Sequence, residues 1–238
     1  MSKKVYIGVG HGGYDPGAVG NGFKEKDLNL SIALACGAEL ARHGVSVLMS
    51  RTSDVSESTA AKCNECNAWG ADLALDIHNN AGGGDGAEVY HHYAGGKGKT
   101  LALNILEEAK KIGQNSRGAK TKVNSAGLDY FGFIRLTDAP AVIVECAFVD
   151  NATDIKIIDT AAEQKAFGVA IAKGILKTLD IAYVEEKVEE TKIEEKEEDG
   201  NLYRVQVGAF RNKANAEALK AKLEEDGYAT FLKAEKTN

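Results

Sequence analysis

No run of about 18 consecutive apolar residues occurs in the 238-residue chain, so no segment reads as a membrane-spanning helix. A leader is equally hard to find. The first apolar run, Val5-Tyr6-Ile7-Gly8-Val9, is shorter than the roughly 7–15 residues of a signal-peptide core, and no small-residue cleavage site follows it. The expectation is synthesis in the cytoplasm and retention there until lysis or a dedicated pore releases the protein. Positive charge is short as well: 29 Lys and Arg against 35 Asp and Glu leave a net −6, the wrong sign for neutralising phosphates. Nucleic acid is therefore not an expected partner. Cysteine is scarce, with Cys36, Cys63, Cys66 and Cys146 too few to staple a chain of this length, and free thiols are expected. Cys63-Asn-Glu-Cys66 has the spacing of half a zinc site, but the other half is missing.

What is present is an ordinary globular composition, 44% apolar and 27% charged. The length suits one main domain with something smaller beside it. Through residue 180, strand-like and helix-like segments alternate, the pattern of an α/β fold with a central, twisted, mostly parallel sheet flanked by helices. Strands are expected at Val5–Val9, Val45–Ser50, Leu73–His78, Ala87–Tyr93, Phe131–Leu136 and Ala141–Cys146. Helices are expected at Asp27–His43, Glu57–Trp69, Lys97–Gly113 and Ala161–Leu179. In the first helix Leu28, Ile32, Cys36 and Leu40 form one stripe, and Gly44 stands where it should stop.

From Val184 to Gly200 the chain becomes a glutamate-rich run that repels itself and has little to bury, the composition of an acidic linker. Beyond it a small β-α-β segment is expected: a strand over Asn201–Phe210, an amphipathic helix over Lys213–Asp226 with Ala214, Ala218, Leu219 and Leu223 inward, and a strand over Ala229–Leu232. The partition is 1–182, 183–200 and 201–238.

Gly8-Val9-Gly10-His11-Gly12-Gly13 matches the spacing of a dinucleotide-binding loop, but Asp15, Pro16, Gly17, Gly20 and Gly22 prolong an irregular loop where that motif needs a helix to begin. Nucleotide binding is set aside. His11 follows the first strand, Glu25 precedes the first helix, His78 ends the third strand and Glu145 ends a late one. All four fall at one edge of a parallel sheet, where ligands bind. Two histidines and a carboxylate are a hydrolytic zinc ligand set, and such a site needs a further carboxylate to move protons. Glu145 is a charge inside the apolar run Val142-Ile143-Val144-Glu145-Cys146-Ala147-Phe148, costly without a partner. Position alone leaves other readings open: His11 and His78 as structural histidines at strand ends, and Glu25 as one member of the surface cluster Lys24-Glu25-Lys26-Asp27.

Four blocks carry a resemblance: Gly10-His11-Gly12-Gly13-Tyr14-Asp15-Pro16-Gly17-Ala18, Glu25-Lys26-Asp27-Leu28-Asn29-Leu30, Asp76-Ile77-His78-Asn79-Asn80-Ala81, and Val144-Glu145-Cys146-Ala147-Phe148-Val149-Asp150-Asn151. In order and content they resemble the zinc-dependent N-acetylmuramoyl-L-alanine amidases of the amidase-3 type. The resemblance implies that His11, Glu25 and His78 bind Zn2+, that Glu145 is the catalytic acid/base, and that the substrate is bacterial peptidoglycan, cut between N-acetylmuramic acid and L-alanine. Asp76 stands where the family often has Ser, and Ala147 where it usually has Gly. Asn80 matches a polar position near the metal, with a substrate or a structural role. His91 and His92 match no ligand block, and one of them should face solvent.

Tyr203-Arg204-Val205-Gln206-Val207-Gly208-Ala209-Phe210, with Asn212-Lys213-Ala214-Asn215-Ala216 and Leu219, resembles the first half of a sporulation-related repeat, a module that binds glycan strands stripped of stem peptides. A single unit leaves strand edges unpaired, so residues 201–238 are expected either to pair with a second chain in a homodimer or to stay unfolded. Two readings compete with the amidase: a wall-binding protein on a degenerate amidase fold, and a zinc peptidase that cuts a crosslink.

Overall fold

Burial runs unbroken from Val5 to Val9, which places the first strand, β1 (Lys4–Val9), inside a sheet and not at its rim. The computed structural model describes residues 2–185, 208, 210, 212–225 and 230–234. After β1 come a short antiparallel pair, β2 (Val19–Gly20) and β3 (Phe23–Lys24), then α1 (Glu25–Arg42) with Leu28, Ile32, Cys36 and Leu40 buried. Gly44 follows with a φ of 74°, at the expected stop. Next are β4 (Ser46–Met49), α2 (Thr59–Trp69), β5 (Leu73–Asn80), β6 (Ala87–His91), α3 (Gly96–Lys111), β7 (Ser116–Lys120), α4 (Gly132–Leu136), β8 (Ala141–Phe148) and α5 (Ala161–Thr178).

The six-stranded sheet has the order β4-β1-β5-β8-β6-β7. Neighbours run parallel except β6 against β8, which is antiparallel, so the sheet is mixed and mostly parallel. Its two faces are covered unequally. Val5, Ile7, Leu75, Ile77, Val142 and Val144 point into the large core beneath α1, α3 and α5. The alternate residues Tyr6, Ala74 and Ile143 point the other way, into a smaller cluster closed by α2 and the short α4. Two small helices cannot cover six strands. Beyond Tyr6, Ala74 and Ile143 along the same alternation come Gly8 on β1, Gly10 just past its end, Asp76 and His78 on β5, and Glu145 on β8.

Some expectations are corrected. Phe131–Leu136 was expected as a strand, but Gly132–Leu136 is helical. Phe133 and Ile134 are consecutive and both enter the α2-side cluster, which a helical turn permits and a strand, alternating its faces, does not. The edge strand β7, Ser-Arg-Gly-Ala-Lys, was not anticipated because it has no apolar alternation to announce it. Glu25 does not precede the first helix but opens it. All four cysteines are free and buried, with Cys63 and Cys66 packed in the smaller cluster.

The chain divides into two units, Met1–Glu186 and Lys187–Asn238. In the second, α6 (Lys213–Glu225) half-buries Leu219 and Leu223 but leaves Ala214 and Ala218 exposed, against the expectation that all four turn inward. Most of the acidic run and of the strand expected over Asn201–Phe210 lies outside the described residues, and so does the pairing of two tails that would rest on that strand. Of the strand expected over Ala229–Leu232, the described residues 230–232 carry no strand geometry.

Candidate active site

His11 leaves β1 with a φ of 58°, a left-handed conformation that a side-chain-bearing residue adopts at a cost. Two glycines make the space around it. A Cβ on Gly10 would lie 2.3 Å from His78 Cε1, and one on Gly17 would lie 2.5 Å from Glu25 Oε2 and 2.7 Å from His11 Cδ2. Only bare backbone lets these three side chains meet. His11 Nε2 lies 3.1 Å from Glu25 Oε2, and His78 Nδ1 lies 3.0 Å from Glu25 Oε1. One donor atom from each residue lies within 4.8 Å of the others, and among the described residues this is the group able to hold a metal ion.

The sequence-expected residues His11, Glu25 and His78 are thus brought together, and Glu145 joins them from the neighbouring strand. His78 and Glu145 are register partners on β5 and β8. Glu145 Oε2 is buried and accepts no hydrogen bond. Burial pushes its carboxyl up to about 7, against the pull of His78. Glu25 is also buried, which alone would raise it, but donors on His11, His78 and the Ala18 amide hold it well below the carboxylate range. Burial works against a charged His78, yet Asp76 and Glu25 outweigh it and push the imidazole up to about 10. The hydrogen bond to Glu25 likewise raises His11. Both imidazoles thus face carboxylates that favour their charged forms, an arrangement in which a divalent cation can take the place of protons. Two imidazoles and one carboxylate are the donor set that hydrolytic zinc sites use, so these residues would fit zinc.

Each of the three is itself held. Asp15 Oδ2 lies 2.8 Å from His11 Nδ1 and fixes which ring nitrogen faces Glu25. Asn29, one helical turn beyond Glu25, donates to Glu25 Oε1 at 3.3 Å and to the Gly10 carbonyl at 3.1 Å. The Asn79 amide donates to the same carboxylate oxygen at 3.1 Å, and its side chain donates to Asn29 at 2.8 Å. Behind His78, Asp76 Oδ2 stands 3.5 Å from Nε2 and Asp76 Oδ1 accepts from the buried Lys62 at 3.0 Å. In the sequence Asn29 and Asn79 stand out only as letters of the motif blocks, and Asp15 as one of them and as part of the irregular loop. The available signal was polarity in the wrong place: Asn29 lies beside Leu28 on the buried stripe of α1.

Asn80 donates to Glu88 at 2.9 Å. His91 is buried against the His92 carbonyl, and His92 is half-buried with Asp129 at 3.0 Å, so neither joins the cluster.

A family model described as N-acetylmuramoyl-L-alanine amidase matches residues 5–177. The chain belongs to the N-acetylmuramoyl-L-alanine amidase family. The family domain therefore carries every strand of the sheet, and a second model, the SPOR domain, matches residues 199–238. Over 233 residues the chain is 37% identical to the N-acetylmuramoyl-L-alanine amidase CwlM of Bacillus licheniformis, covering 96% of this chain and 84% of that one. It is equally similar, 37% with the same coverage, to the sporulation-specific N-acetylmuramoyl-L-alanine amidase of Bacillus subtilis. Among solved structures, Cwp6 from Clostridium difficile superposes with a TM-score of 0.74 at 36% identity, over 75% of this chain and 30% of that one. No helix of the described residues is long and apolar enough to cross a membrane.

Proposed function

We propose that this amidase-family protein hydrolyses the amide between N-acetylmuramic acid and the L-alanine of the stem peptide, using His11, Glu25 and His78 to hold zinc and Glu145 as acid/base. The observation that carries the reading is the buried, unpartnered Oε2 of Glu145 beside a three-donor cluster. When bound, zinc supplies Lewis acidity that polarises a carbonyl and makes a water more acidic. The rest falls to the chain. Glu145, whose proton affinity lies near neutrality, takes a proton from the attacking water as the carbon–oxygen bond forms. It returns that proton to the nitrogen as the carbon–nitrogen bond breaks, releasing the free amine of L-alanine. Asp15, Asn29 and Asn79 keep the three donors in place while this happens.

Retention of the three donors and Glu145 weighs against a wall-binding protein without activity. The SPOR match over residues 199–238 supports a tail that adheres to peptidoglycan glycan. Cytoplasmic synthesis, with action on the wall after release by lysis or a dedicated pore, stays a proposal that rests on the sequence alone. A homodimer through residues 201–238 stays a proposal resting on the single strand–helix–strand pattern alone.

Mass spectrometry of digested cell wall tests the reaction. New N-terminal L-alanine is the expected product, a severed crosslink would mean a peptidase, and no product would mean a binder.

A further inference from the structure

The row of polar side chains does not end at Glu145. Glu145 pairs across the antiparallel ladder with Glu88 on β6, and Glu88 pairs with Gly118 on β7, so His78, Glu145, Glu88 and Gly118 follow one another across four strands. With strands about 4.8 Å apart, β7 stands about 10 Å from Glu145 across the sheet.

Glu88 is buried, and it accepts from Asn80 and the Tyr90 hydroxyl at 2.9 Å each, from Arg117 Nε at 2.8 Å, and from Lys120 Nζ. Alternation would send Arg117 and Lys120 to opposite faces of β7. They converge because the register slips between Ala87 and Glu88: Ser116 faces Ala87, Gly118 faces Glu88, and Arg117 is the extra residue of a bulge. Gly118 at a φ of 91° supplies the backbone conformation the slip needs.

One carboxylate bonds both cations but cannot neutralise two positive charges. Two oxygens offer about four acceptor positions, and four donors already fill them. Arg117 and Lys120 keep side-chain exposures of 39% and 33%, and among the described residues Glu88 is the acceptor that Arg117 reaches. The guanidinium lies 5.0 Å from the Phe148 ring centre, with Nε turned to Glu88, so its two terminal nitrogens form a fork held from behind. Counted against Glu88 one positive charge is in excess, Asp154 adds a weaker pull on Arg117, and both cations stay partly exposed to solvent.

We propose that Arg117 and Lys120 form a subsite for a free carboxylate on the second residue of the stem peptide, and so select substrates by charge. The inference rests on the amidase reading above. Two extended residues and one hydrogen bond cover about 10 Å from the scissile amide, which brings the α-carboxylate of a γ-linked D-glutamate to the fork. A carboxamide at that atom keeps the shape but loses the charge and offers only one acceptor oxygen.

The experiment uses the full-length, zinc-loaded protein and two muramoyl peptides with blocked carboxyl termini, identical but for a carboxylate or a carboxamide on the second residue. The wild type should lose about tenfold in kcat/KM on the carboxamide, mostly through KM, as expected for a partly exposed charge-assisted pair. The variant carrying Arg117→Gln and Lys120→Gln should cut both substrates at similar rates. Because the wild-type comparison needs no mutation, a misfolded variant cannot mask the result. Wild-type rates within twofold of each other, or a folded variant that still discriminates, would overturn the subsite. Cleavage of neither substrate by the wild type would overturn the amidase reading and the subsite with it.

Discussion

His78 and Glu145 face each other across two parallel strands, and only one of them has a partner: His78 lies between Glu25 and Asp76, while Glu145 Oε2 is buried with none. A group left unsatisfied in a protein interior costs free energy that packing elsewhere must offset. Such a group is kept where chemistry needs it.

Replacing Glu145 by Gln retains volume but removes the proton acceptor. Turnover should fall by about 10²–10⁴-fold with KM little changed. Metal analysis of the same variant should still find one zinc per chain; loss of the metal would make Glu145 a ligand instead.

The same substitution should stabilise the metal-free protein, and the effect should depend on pH. The folded-state carboxyl is raised from 4.5 to about 7, so the folded protein binds this proton more tightly than the unfolded chain does. Its contribution is present below the unfolded value and disappears as pH rises through the folded one. Above pH 7 the ionised group costs on the order of 3 kcal/mol. Thermal melts in chelator should show Glu145→Gln gaining more over the wild type at pH 8 than at pH 5, and an equal gain at both would contradict the assignment.

Metal affinity should rise with pH. In the metal-free site the neighbours Asp76 and Glu25, outweighing burial, keep His78 protonated up to about pH 10. A metal ion must displace that proton, so each proton released gives about tenfold tighter binding per pH unit while the site remains protonated. Competition with a chromophoric chelator from pH 6 to 8 measures the slope, and a flat profile would show that no proton is exchanged.

Asp76 and Lys62 form an ion pair with both side chains 5% exposed. Exchange of Asp76 for Ser leaves Lys62 charged, buried and without its carboxylate, and should cost about 3–5 kcal/mol in urea unfolding. Adding Lys62→Met should recover most of that loss. If the single change proves neutral, the pair contributes nothing to the fold.

Much of this protein is decided along the chain itself. The four motif blocks name His11, Glu25, His78 and Glu145, and the alternation of strand and helix patterns specifies a mostly parallel α/β sheet, because both are local properties of consecutive residues. Other features depend on packing between distant segments. Which face His78 and Glu145 turn to is decided by Ile77 and Val144 filling the larger core, which leaves the site pair on the side of the smaller cluster. Phe133 and Ile134 make a helical turn where their apolar pattern suits a strand, since both must enter one cluster. The antiparallel entry of β6 sets Glu88 opposite Glu145, and a one-residue slip against β7 turns Arg117 and Lys120 to the same carboxylate. No spacing in the sequence encodes that slip. It arises where two strands must pair although their side-chain alternation differs by one residue, a conflict that exists only once the sheet has formed.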